Sequence, residues 1–243
     1  RMTAAALRRR RADPASFADE VLETLAYLGA IPDRALAPVP GAGGDGPAAP
    51  ARPAGPEPRV RAIPGEGTDP AAWILGSSVN GARVAGTLGL PFAVASHFAP
   101  AQAEAAITTY RGHFGGDAAA RPLSRDGRPH VAAGVNAVVA PSREEAERLF
   151  TTAMAAAARV VGGRPGPLDA PDDDPRAWRA LAPGREDAVE ASMGLSFVGT
   201  PDAVASGVRE LAARWGLEEV LVVTYVHDAA ARRRSYELLA AAW

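Results

Sequence analysis

The chain has 243 residues, 47% of them hydrophobic, and a formal net charge of −2. This length holds one large α/β domain, and the charge gives no electrostatic case for nucleic acid or an anionic membrane. Cysteine and lysine are both absent, which excludes disulfides, thiolate catalysis, cysteine zinc sites and Schiff-base lysine chemistry.

Residues 13–29 read as a helix. Asp13 is placed to cap it, Pro14 fits its first turn, and Phe17, Val21, Leu25 and Leu28 form one apolar face. Residues 38–58 hold 7 prolines and 5 glycines in 21 positions, too few packable side chains for a core, so a flexible insertion is expected within one domain spanning 1–243. The stretch Trp73–Phe98, WILGSSVNGARVAGTLGLPFAVASHF, reads as strand, helix, strand. Its strands are expected at 72–76 and 91–96, its helix at 80–88. So short a crossover implies parallel strands. A helix follows from Pro100 to about Phe114, then a strand at 131–140. Ser142 and Glu145 form a capping box for a helix reaching Val161. Residues 163–185 read as irregular. Thr200-Pro201 opens a helix closed by Gly216, the last strand lies at 219–226, and Asp228 caps the final helix. Alternating strands and helices imply a parallel sheet, in which ligands sit at the carboxyl ends of strands. Periodicity alone does not separate half a β/α barrel from an open doubly wound sheet. No run of 18 apolar residues predicts a membrane span. With no secretory signal at the start, the cytoplasm is the expected location.

Several segments carry a resemblance in order: the Trp73–Phe98 block, Pro129–Ala140 leading into Ser142, Phe197-Val-Gly-Thr-Pro, Glu218–Val226, and His227-Asp228 followed by Arg234-Ser-Tyr-Glu-Leu-Leu. Together they resemble the luciferase-like flavin-dependent monooxygenases, close to the bacterial luciferase α-chain, over the whole chain except the proline-rich insert. The resemblance implies a (β/α)8 barrel of which this chain carries the second half, strands five to eight. Members run about a hundred residues longer at the amino end, so the chain reads as a fragment or truncated product. It is expected to be poorly soluble or self-associating on its own.

The resemblance also implies the chemistry. Reduced FMN, delivered by a separate flavin reductase, reacts with oxygen and oxidises a small organic substrate. Ser77, Ser78, Val79, Asn80 and Gly81, at the strand-to-helix turn, are the expected phosphate contacts; the alternative reading of Ser78 is a plain helix cap. Gly81 departs from the serine or threonine common in relatives. His97, at the end of the next strand, is the candidate catalytic residue, able to hydrogen-bond the flavin, or a structural histidine of the pocket wall. Asn136 is read as satisfying a neighbouring loop, with ligand contact as the alternative. His130 is read as structural and His113 as solvated; His227 and Asp228 alternate in direction and form no dyad. Asp172–Asp174 lacks the glycine and glutamate of a calcium loop. Arg8–Arg11 reads as a solvated run with a weak case for a flavin contact. Rival readings are F420 in place of FMN on the same fold, a non-catalytic flavin-binding protein, and an inactive fragment. Pairing of two copies is a further expectation.

Overall fold

The computed structural model describes residues 17–28, 62–68, 70–115 and 127–243. The expected insertion at 38–58, the Asp13–Pro14 helix start and the Arg8–Arg11 run lie outside the described residues. The chain divides into two compact units, Arg1–Ala72 and Trp73–Trp243.

In the first unit, α1 (Phe17–Leu28) buries Ala18, Leu22 and Leu25. The sequence centres this stripe one residue earlier, yet Phe17 is exposed. Apolar residues at 17, 18, 21, 22, 25 and 28 make an arc wide enough that period alone does not fix its centre. The Gly67 N–H donates to the Leu28 carbonyl at 3.0 Å, fastening the turn at 63–67 to the end of the helix.

The second unit alternates strand and helix: β1 (Ile74–Gly76), α2 (Val79–Leu88), β2 (Phe92–Val94), α3 (Ala103–His113), β3 (Val131–Val139), α4 (Arg143–Val161), α5 (Glu186–Ser192), β4 (Ser196–Gly199), α6 (Pro201–Trp215), β5 (Glu219–Val223) and α7 (Ala229–Ala242). Every pairing is parallel. Ile74 lies opposite Phe92, Phe92 opposite Val131, and Ala132 opposite Glu219, so the four expected strands neighbour one another in chain order. β4 is an addition. Its four residues, SFVG, are too few to show a period, and it pairs Asn136–Val139. It occupies the β3 edge that β2 leaves after Ala133. The short α5 likewise lies in a segment next to the expected irregular stretch.

Local chemistry accounts for the boundaries. Ser78, Ser142 and Asp228 cap α2, α4 and α7 through their side-chain oxygens. Gly89, at φ 65°, ends α2 in the left-handed conformation and turns the chain toward β2. On the helix-covered face, Phe92 is fully buried and its ring stacks on Tyr110 of α3 at 5.5 Å. α2 meets α3 at Gly86, where a Cβ would stand 2.5 Å from the Tyr110 carbonyl oxygen. Residues paired across parallel strands share a face. Leu75 and Leu221 therefore project from the opposite face, where they are 69% and 50% exposed. At the amino end of β3, His130 Nε2 meets Glu219 Oε1 at 3.0 Å, and its ring packs edge-on against Trp73, so this histidine is structural as expected. Past Val223, Thr224 Oγ1 donates to the Ala137 carbonyl and Ser235 Oγ accepts from the Val139 N–H, both at 2.8 Å. These bonds satisfy strand backbone that β5 no longer reaches.

Candidate functional site

The carboxyl ends of β1 and β2 lie side by side. Gly76 pairs with Val94, and the Ala95 N–H extends the ladder by donating to the Gly76 carbonyl at 2.9 Å. Ser77 and Ser78 leave β1 there, and Ser96 and His97 leave β2 there. Ser78 is extended (φ −129°, ψ 157°), and its Oγ accepts from the Gly81 N–H at 3.4 Å. That is the capping geometry, and it leaves the first-turn amides of Val79 and Asn80 without an acceptor inside the helix. The first turn of α2 carries no acidic residue, so no carboxylate opposes an anion. One turn in, Arg83 Nη2 donates to Asn80 Oδ1 at 2.9 Å. This places a cation near the turn, a residue that the sequence reading missed and that helical i, i+3 spacing would have found.

His97 sits in the turn after β2. Ser96 is fully buried, and its Oγ donates to the Gly134 carbonyl at 2.6 Å. The Asn136 amide donates to the His97 carbonyl and lies 4.0 Å from Met193 Sδ. Asn136 thus ties down the neighbouring turn, as the loop-satisfying reading expects. The His97 ring abuts Gly134 with its Nδ1 edge: a Cβ there would overlap Nδ1 and stand 3.3 Å from Cγ and Cε1. Phe98 packs edge-on against the imidazole at 4.9 Å. His97 Nδ1 and Asn136 Oδ1 are both sealed from solvent and have no hydrogen-bond partner. Burial pushes the His97 imidazole below its ordinary value of 6.5, favouring the neutral ring.

Ser77, Ser78, Val79, Asn80, Gly81 and His97 therefore share one end of the sheet. The other histidines do not join them. His227 is exposed beyond β5, and Asp228 accepts from the Ala231 N–H as a helix cap. His113 is exposed, with Nδ1 2.8 Å from the Thr109 carbonyl. Asp172 and Asp174 accept backbone N–H groups two residues on. Among the described residues no group of acidic and histidine side chains is arranged to hold a metal ion, and no helix is long and apolar enough to cross a membrane. Ser96 and Gly134 went unread in the sequence. A glycine inside a strand run marks a close approach, and that was the available signal for Gly134.

The donor set fits an anion. Free amides at a helix amino terminus, two adjacent hydroxyls and a nearby guanidinium suit a phosphate group. The open sheet face beside it is apolar at Leu75 and Leu221.

The sequence model of the family described as luciferase-like monooxygenase matches residues 44–219. A protein of Escherichia coli K12 described as a luciferase-like monooxygenase is 34% identical over 184 residues, covering 75% of this chain and 52% of its own. YvbT of Bacillus subtilis 168 is also 34% identical, over 186 residues, with 76% and 53% covered. The crystal structure of apo-MsnO8 superposes with a TM-score of 0.66 at 30% identity, over 98% of this chain and 63% of that one. The chain spans about half the length of the curated relatives it matches. It belongs to the luciferase-like monooxygenase family.

Proposed function

We propose that the chain supplies the phosphate-binding half of an FMN site in a flavin-dependent monooxygenase acting on a small organic substrate. The observation that carries this reading is the amino terminus of α2. It opens at the carboxyl end of a sheet strand, with the Val79 and Asn80 amides free and Ser77 and Ser78 beside them. When bound, reduced FMN supplies the electrons with which oxygen is activated for transfer to the substrate.

The residues of this chain bind and orient. The amides of Val79 and Asn80, with the Ser77 and Ser78 hydroxyls, hold the phosphate; Arg83 adds a positive charge one turn away. Gly81 adds no side chain to the first turn. The neutral His97 and Phe98 form a wall that excludes water on the β2 side of the site. His97 is the residue of this wall able to hydrogen-bond the flavin or substrate. The remaining wall comes from the part of the barrel that the relatives carry and this chain does not span. A separate flavin reductase delivers the reduced cofactor, in the cytoplasm.

The test is a flavin titration. It uses the chain alone and the chain joined to the amino-terminal half of a relative's barrel, hereafter the completed barrel. FMN is expected to quench on binding to the completed barrel and to bind more tightly than riboflavin, which lacks the phosphate. Equal affinity for both, or binding of F420 with none of FMN, contradicts the reading.

A further inference from the structure

We propose that Gly134 is a positioning residue: by having no side chain it fixes where the His97 ring lies, and thereby the width of the flavin seat. This rests on the FMN reading above for its functional half; the structural half stands alone.

Three observations converge on it. The His97 ring turns its Nδ1 edge toward the bare α-carbon of Gly134, so that a methyl group there would overlap Nδ1 and crowd Cγ and Cε1 at 3.3 Å. The main chain on either side of the ring is anchored to the same short length of β3. Ser96 Oγ donates to the Gly134 carbonyl at 2.6 Å, and the Asn136 amide donates to the His97 carbonyl. Finally, Asn136 is 2% exposed, and its Oδ1, like His97 Nδ1, is sealed without a partner. Nothing from solvent reaches the Nδ1 edge, so the ring is held by shape and by its backbone, not by a hydrogen bond of its own. The exposure that His97 retains belongs to its other atoms.

This arrangement has a consequence for specificity. Gly134 pairs with Leu221 of β5 and shares its open face. The space between the His97 ring and Leu221 on this face is part of the seat that a flat ring system would use. A side chain at 134 lifts the imidazole off the strand and into that space. A larger residue at this position in a variant should therefore narrow the seat without touching the phosphate turn.

Among the described residues, Trp215 Nε1 is also buried without a partner.

The experiment is a double-mutant cycle on Gly134→Ala and His97→Ala, read twice. Gly112→Ala is the control, because a Cβ there meets nothing within 4 Å. The first reading is thermal melting, which needs no flavin. The second is the FMN dissociation constant of the completed barrel. Gly134→Ala alone is expected to lower the melting temperature and to weaken FMN by ~10-fold. In the His97→Ala background, Gly134→Ala should leave both quantities unchanged, since the clash has gone. Gly112→Ala should leave FMN affinity unchanged and hold or raise the melting temperature, as alanine does in a helix. Additive effects of the two substitutions on melting would overturn the positioning role outright. Coupling in melting with no coupling in FMN affinity would reduce Gly134 to a packing residue and overturn the link to the seat. If no form binds FMN, the functional reading above falls, and the melting cycle still decides whether Gly134 acts through His97.

Discussion

Ser78→Asp separates two roles that coincide at one residue. Ser78 caps α2, its Oγ accepting from the Gly81 N–H at 3.4 Å, and in our account its hydroxyl also faces the flavin phosphate. Aspartate caps a helix about as well as serine. Its charge adds about 0.3–1 kcal/mol at a helix amino terminus. Folding stability should therefore hold or rise slightly. A phosphate at the same terminus meets a new negative charge. At ~5 Å and an effective dielectric between about 80 and 20, each unit of phosphate charge then costs about 1–3 kcal/mol. This weakens FMN by ~5- to 150-fold. Ser78→Ala reverses the stability result, losing about 1 kcal/mol of capping. Thermal melting reads the cap, and fluorescence titration of the completed barrel with FMN and riboflavin reads the phosphate. The predicted pattern is FMN weakened, riboflavin unchanged and melting preserved in Ser78→Asp. Unchanged FMN affinity in that variant, with the fold intact, refutes phosphate binding at this turn.

The other predictions concern the fold and His97. Gly86→Ala forces a Cβ to 2.5 Å from the Tyr110 carbonyl and 3.0 Å from His113 Cβ; it should destabilise by about 1–3 kcal/mol in denaturant unfolding, and a neutral result would show that α2 and α3 do not pack this closely. His97 has a folded-state pKa below its ordinary 6.5, owing to burial, so between the two values the unfolded chain binds more protons. Stability from this residue is complete above pH 6.5 and declines as the pH falls through 6.5 toward the lowered value. His97→Gln should flatten that decline, leaving the acid limb to carboxylates such as Glu144 and Glu186, which backbone hydrogen bonds hold below their ordinary value. A melting profile below pH 6.5 that is unchanged in His97→Gln contradicts the burial of a neutral ring. The chain alone, with Leu75 and Leu221 exposed, should elute above its 25.0 kDa mass and show no turnover; a monomer that oxidises substrate contradicts the half-site account.

Fold and site were legible to different degrees, for physical reasons. The β1–α2–β2 unit was read to within about two residues, its helix to within one, because its punctuation is local: Ser78 begins the helix and Gly89 ends it. β4 was missed because four residues show no period, and its partner on β3 lies 60 residues earlier in the chain. The α1 stripe was placed one residue off because its apolar arc is broad. At the site, Ser78 and His97 were visible as side chains at strand ends. Gly134 was not, because its contribution is an absence, read only when the Nδ1 edge of His97 is seen abutting it. Asn136 was recognised as needing partners, but the particular carbonyl it serves depends on the chain folding back across 39 residues.

The measurement closest to the central claim is a crystal structure of the completed barrel with FMN. The account predicts phosphate oxygens within hydrogen-bond distance, about 3 Å, of the Val79 and Asn80 amides. It also predicts the flavin ring lying on the open sheet face beside His97. FMN phosphate held elsewhere, with the α2 amino terminus solvated, would contradict it.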